Sequence, residues 1–181
     1  MRPSHRREAR SRRPTPLIVC LDVDYRKDAV VTARLVIPNW DSKAPASLVT
    51  IRTRGAAPDY VPGAFYRREM PYLVAALEGV AASVVVIDGY VWLGPGAPGL
   101  GAHLWDAIGK RAAVVGVAKT PFRGAAPIVR EVKRGASNTP LFVTAAGIEP
   151  EIAADRVRVM HGPHRMPAML RRVDRACRDA R

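Results

Sequence analysis

LIVCLDVDYRKDAVVTARLVI, residues 17–37, is the stretch on which the fold turns. LIVCLDV (17–23) is a run of apolar and β-branched residues of the kind that forms a buried strand. The polar turn YRKD (25–28) separates it from a second such run, AVVTARLVI (29–37). A third run, SLVTIRT (47–53), alternates apolar and polar positions and follows Pro45, so three strands in meander order are predicted. Beyond them, in PDYVPGAFYRREMPYLVAALEGV (58–80), Pro62-Gly63 breaks the chain and Phe65, Leu73, Val74, Leu77 and Val80 then recur at helical spacing. Pro71 is expected to kink or restart that helix. SVVVIDGY (83–90) reads as a fully buried strand ending at Asp88-Gly89, followed by the Gly/Pro-rich loop VWLGPGAPGLG, where a backbone can approach a ligand closely. A short helix over 100–110, a buried strand AAVVGVAK (112–119) and a hairpin of PIVREV (127–132) with PLFVTAA (140–146) come next. Two C-terminal helices split near Gly162-Pro163 complete the chain. The sum is a mixed α/β domain, antiparallel strands first and strand-helix alternation afterwards, over 17–181.

The chain of 181 residues fits one domain, and its 48% hydrophobic content supplies a core. Lys+Arg 29 against Asp+Glu 16 gives a net charge of +13, which points to polyanions such as nucleic acid. The charge is carried mostly by arginine in an alanine-rich chain, a bias that genome composition also produces. Residues 1–16, MRPSHRREARSRRPTP, set six arginines against Glu8 and have no apolar period, so a disordered basic arm is expected, either a phosphate contact or an unselected extension. Cys20 and Cys177 lie far apart without metal-ligand spacing, which argues against a disulfide framework or a zinc site. No apolar run approaches the ~20 residues of a membrane span, and a cytoplasmic monomer is expected.

In so basic a protein the informative acids are those set into apolar sequence. Asp22 interrupts the first strand, Asp88 ends the fourth, and Glu69 lies on the helix between them. An aspartate in a buried strand is costly unless it is hydrogen-bonded or holds a metal. Three carboxylates brought together repel one another, and a hard divalent cation such as Mg²⁺, which prefers oxygen ligands, relieves the repulsion. Such a site activates water and stabilises the leaving oxygen in phosphodiester hydrolysis. Asp24 shares the strand face of Asp22 and is an alternative ligand, while Asp28 has the context of a turn residue.

LDVDY (21–25), YVPGAFYRREMP (60–71), VVVIDG (84–89), GLGAHL (99–104), GVAK (116–119) and PLFVTAAG (140–147), in this order and spacing, resemble the endonuclease V nucleases, whose fold is ribonuclease-H-like. The resemblance implies that Asp22, Glu69 and Asp88 are the metal carboxylates, with Mg²⁺ as the ion and Mn²⁺ able to substitute. It implies that Lys119 lies near the scissile phosphate and that Tyr60, Val61, Pro62 and Gly63 form a wedge beside the lesion. The loop beginning at Gly89 and Tyr90 falls where the family receives a hypoxanthine base, and His103 is retained. The implied reaction is cleavage of a phosphodiester bond 3′ to inosine in DNA or RNA. Two departures stand out: Gly94-Pro95 replaces the family's His-Pro pair, and Gly147 stands at a histidine expected near the metal, which His161 or His164 would have to replace. They motivate a second reading, a binding protein of the same fold with little or no cleavage.

Each residue also has an ordinary reading. Lys119 can be a solvated strand tip, and His103 a packed or hydrogen-bonded residue in its helix. Tyr60 can be a core or interface aromatic, and Tyr90 and Trp92 either stack on a base or fill the loop.

Overall fold

The computed structural model describes residues 17–55 and 65–180. The basic arm and the segment holding Tyr60, Val61, Pro62 and Gly63 therefore lie outside the described residues. Three antiparallel strands, β1 (Leu17–Tyr25), β2 (Ala29–Ile37) and β3 (Ser47–Arg54), open the fold as the meander expected. Helix α1 (Phe65–Leu77) leads to β4 (Ala82–Asp88), which lies parallel to β1 on its other side. A small hairpin, β5 (Trp92–Gly94) with β6 (Ala97–Pro98), forms inside the Gly/Pro-rich loop, which carries no strand pattern. Helix α2 (Leu100–Ala107), strand β7 (Ala113–Ala118), the antiparallel pair β8 (Arg130–Val132) and β9 (Leu141–Ala146), and helices α3 (Pro150–Val159) and α4 (Ala168–Asp179) follow.

The main sheet has seven strands in the order β3-β2-β1-β4-β7-β9-β8, with only β1, β4 and β7 mutually parallel. Val19, Leu21, Val85 and Ile87 face one side, where Leu73 and Ala76 of α1 and Leu104 of α2 cover them. Cys20, Val86 and Val115 face the other, covered by Val157 of α3 and by Met169, Val173 and Cys177 of α4. Because both faces are covered, the central strands read as continuous apolar runs rather than alternating ones. Edge strand β3 does not show the alternation expected of it: Leu48 and Ile51, three residues apart, are half-buried on opposite faces, and Val49, Thr50 and Arg52 are exposed.

Pro71 does not restart the helix: α1 runs unbroken from Phe65 to Leu77. Its ring is on the exposed side, and the missing N–H costs one helical bond. Burial of Leu73 and Ala76 immediately after it holds the helix on the sheet. Among the described residues no helix is long and apolar enough to cross a membrane.

Candidate active site

Parallel strands place their C-terminal ends side by side, and that edge carries the charged groups. Even-numbered residues of β1 and β4 point toward α4, so Asp22 and Asp88 follow the apolar pair Cys20 and Val86 on the same face. Val117 of β7 pairs with Asp88, and Lys119 stands two residues beyond it. The chain turns sharply at Gly89 (φ +122°) to cross over β7, where a Cβ on Gly116 would lie 2.5 Å from the Gly89 carbonyl oxygen. Glycine at 116 is thus what lets the Asp88-Gly89 turn close against the sheet.

Glu69 enters from α1 and lines the same cleft as Asp22, Asp24, Asp88 and Lys119. The cleft has a volume of about 320 Å³. Lys119 Nζ donates to Asp88 Oδ2 at 2.5 Å, with both side chains partly open to solvent. Burial, then the charges of Asp174 and Asp88, push the Asp22 carboxyl up to about 7. Burial, then the charge of Asp22, push the Glu69 carboxyl up to about 7. Burial alone would lower the Lys119 ammonium, but its hydrogen bond and charge pairing with Asp88 prevail and raise it.

Asp174 is the functional candidate that sequence reasoning missed. It projects from α4 against Asp22, which when protonated donates to it. The Arg178 Nη2 group holds Asp174 Oδ1 at 2.7 Å, and Cys177 Sγ, one turn along from Val173, donates to the Asp22 carbonyl at 3.0 Å. The only sequence signal was an acid bordering the buried stripe Met169, Val173, Cys177 on a helix otherwise rich in arginine. Asp24, the alternative ligand, is instead paired with Arg26 at 3.1 Å, and Arg26 caps the carbonyls at the end of α4. Asp28 pairs with Arg52 beside the β1–β2 turn.

Asp22, Glu69, Asp88 and Asp174 thus border one cleft with Asp24, and these four, unlike Asp24 on Arg26, can supply oxygens to a hard cation. Among the described residues they do not close into a finished coordination cage, and Asp88 is turned to Lys119. The chemistry of the set nevertheless fits a divalent ion, since the neighbouring carboxylates raise the proton affinity of Asp22 and Glu69, and among the described residues the one cation bonded to these four, other than Arg178 on Asp174, is Lys119.

The remaining sequence candidates divide. His103 of α2 stacks on Tyr66 of α1, ring centroids 3.6 Å apart and planes 15° apart, one turn before Glu69. Tyr90 fills the loop, donating to the Thr120 carbonyl at 2.8 Å and accepting from the Phe122 N–H at 3.1 Å. Trp92 also packs, its indole N–H on the Ala145 carbonyl at 2.9 Å. His161 and His164 line neither cleft beside the carboxylates.

The two glycine departures have structural causes. β9 runs antiparallel to β7, pairing Ala146 with Val114, so Gly147 lies at the opposite end of the sheet from Asp88 and is not a vacated metal-side position. Its φ is +75°, and a Cβ there would sit 2.9 Å from Trp105 Nε1. At Gly94 a Cβ would meet the Gly124 carbonyl oxygen at 2.9 Å, so backbone fills the space a side chain would need.

A second unanticipated feature supports Lys119 from behind. Arg134 is buried, and its guanidinium donates to the carbonyl of Arg158 in the last turn of α3 and to those of Met160, Gly162, His164 and Arg165 in the segment joining α3 to α4. Arg165 in turn donates to the carbonyls of Lys119 and Pro140. Backbone carbonyls, not carboxylates, are the partners throughout.

A family model described as Endonuclease V matches residues 2–148. Endonuclease V of Streptomyces coelicolor is 30% identical over 188 residues, covering 92% of this chain and 79% of that protein. The crystal structure of endonuclease V from Streptomyces avermitilis superposes with a TM-score of 0.69 at 26% identity, covering 92% of this chain and 81% of that one. The fold is shared with Ciona intestinalis endonuclease V in complex with a 23mer DNA containing an inosine followed by a ribo-adenosine, at TM-score 0.72 and 17% identity over 90% and 83% of the two chains. With its carboxylates on the ends of a ribonuclease-H-like sheet and a family match over most of its length, the chain belongs to the endonuclease V family of nucleases.

Proposed function

We propose that the protein is a divalent-metal-dependent endonuclease that cuts a phosphodiester bond on the 3′ side of inosine in DNA or RNA. The observation that carries this reading is the convergence of Asp22, Glu69, Asp88 and Asp174 on one strand-end cleft next to Lys119. Asp22, Glu69 and Asp88, joined by Asp174, would hold the ion, Mg²⁺ with Mn²⁺ as substitute. Bound there, a divalent ion lowers the pKa of water and offsets charge on the leaving oxygen.

The chain's own groups do the rest. Lys119 Nζ, half exposed and tethered only to Asp88, swings onto a non-bridging phosphate oxygen and offsets charge developing there. The hairpin loop after Gly89 receives the extruded base, while the Tyr66–His103 stack ties α1, which carries Glu69, to α2. Extruding a mispaired base costs less than extruding a paired one, which favours deaminated sites. Tyr60 to Gly63 hold the strand open as a wedge, a role drawn from their sequence. The excess of basic residues adds sequence-independent affinity that falls with salt.

A gel assay tests this with an inosine-containing oligonucleotide as single-stranded DNA, duplex DNA and RNA, in Mg²⁺ and then Mn²⁺, with Asp88→Ala as control. A cut 3′ to inosine that disappears in Asp88→Ala is the expected result. Intact lanes in which the protein still retards the oligonucleotide would replace the enzyme with a binding protein.

A further inference from the structure

The row of acids separates two cavities, and the nuclease reading uses only one. On the Glu69 side lies the polar cleft already described. On the α4 side lies a second cavity of about 300 Å³. Val117 of β7 faces it from the sheet, Leu21 and Ile87 reach its edge as they reach that of the first cleft, and its outer wall is Met166, Leu170 and Val173. Asp22, Asp88, Asp174 and Lys119 border both spaces. Arg171 stands exposed at the rim of the second and makes no ion pair among the described residues, whereas Arg178 is engaged with Asp174.

We propose that this cavity is a second base subsite, taking the nucleobase immediately 3′ to the scissile phosphate while Arg171 holds the phosphate that follows. The inference rests on the endonuclease reading above and extends it to the nucleotide beyond the cut. Three features select this occupant. The volume is at the small end of ligand pockets, enough for one ring system. The apolar lining disfavours an ion but suits the faces of a base. The polar border is the point at which the scissile phosphate must sit, so whatever fills the cavity is tied to that phosphate by a short link.

Strand polarity gives the same side. The inosine is received on the α1 and loop side, and the cut is 3′ to it, so the chain crosses the acids and its next nucleotide arrives over α4. The enzyme then recognises two bases, inosine by its hydrogen-bonding edge and the first base beyond the cut by its presence alone.

The test compares inosine oligonucleotides with a normal base, or an abasic residue, immediately 3′ to the mapped cut. A third oligonucleotide carries the abasic residue six nucleotides farther on. For the unaltered protein, loss of the adjacent base lowers kcat/KM and binding by about tenfold, the size of one lost stacking contact, and the distant one changes neither. Leu170→Trp, which fills the cavity from α4, lowers kcat/KM on the normal substrate to the abasic level and erases the difference between them, while preference for inosine over adenosine persists. Leu170→Met, of similar volume, retains the difference and controls for folding. Equal rates on the normal and adjacent-abasic substrates, or a Leu170→Trp protein that still discriminates, would overturn the subsite. If no oligonucleotide is cut, the endonuclease reading is what fails. Fluorescence anisotropy on the same pair then decides the subsite alone: a tenfold weaker Kd for the abasic strand upholds it and an equal Kd removes it.

Discussion

At the C-terminal ends of β1, β4 and β7 the sheet finishes in Asp22, Asp88 and Lys119, with Glu69 and Asp174 brought in from helices on opposite faces. At the other end the same sheet finishes in packing: Gly147 lies against Trp105, and Trp40, Ile148 and Ile152 border a broad groove with Val159. Opposed charge demands accumulate at the first end, where Asp22 and Glu69 hold protons far above the ordinary carboxylate range. The second contains no comparable crowding of acids among the described residues. The contrast changes the meaning of a residue that departs from the family pattern. A glycine in place of histidine at the packing end reports on how Trp105 is accommodated, and says nothing about proton transfer at the cleft.

Replacing Asp22 by Asn should separate the two ends most sharply. Cleavage is expected to fall at least about a thousandfold, measured as single-turnover rate with Mg²⁺. Stability should move the other way in EDTA. A carboxyl raised from 3.8 to about 7 in the fold contributes stability that is fully present below about pH 4 and lost as pH rises through 7. The metal-free protein therefore carries a penalty at pH 8 that Asn removes, worth on the order of 2–4 kcal/mol, or roughly 5–10 °C in Tm. Calorimetry from pH 5 to 8 in EDTA checks this; superimposable Tm curves for the two proteins would mean that the acids are not crowded.

Arg134→Met tests the support of the charged end. Five carbonyls lose their donor, and a loss of about 3 kcal/mol is expected, seen as a Tm lower by roughly 6–12 °C. Activity at 25 °C should drop as well, since the segment carrying Arg165 no longer fixes the Lys119 carbonyl. Unchanged kcat in a destabilised protein would show that the site does not depend on this brace.

The smallest effect is expected at the packing end. Gly147→His places a side chain at φ +75° and against Trp105, costing about 1–3 kcal/mol, while kcat/KM stays within about twofold. A large gain in kcat from this histidine would mean that position 147 reaches the cleft after all.

The elements of this fold were legible wherever burial on both faces made a strand continuous. β1, β4 and β7 follow from LIVCLDV, SVVVID and AAVVGVAK, and period-2 geometry puts Asp22 and Asp88 on one face once the strands are known to be parallel. What the sequence did not carry is direction and proximity. Nothing in PLFVTAAG says that β9 runs antiparallel to β7, so Gly147 could not be placed at the right end. Asp174 was hidden for the same reason, since an acid on an arginine-rich helix looks solvated until the helix is docked beside β1. The unbroken α1 across Pro71 shows tertiary burial outweighing a local propensity. The β5–β6 hairpin depends on a contact with the 122–125 segment that no local pattern announces.

Arg134 grips the α3–α4 connection by main-chain oxygens alone. Every residue type presents the same carbonyl, so the information that shapes this segment is stored outside it, in a single side chain. His161, Pro163, His164 and their neighbours are thereby released to vary, provided the path and Gly162 at φ +117° are kept. The wall of the second cavity begins in this segment, at Met166. Evolution, or a designer, can therefore rewrite what that wall recognises without rebuilding the scaffold that holds it.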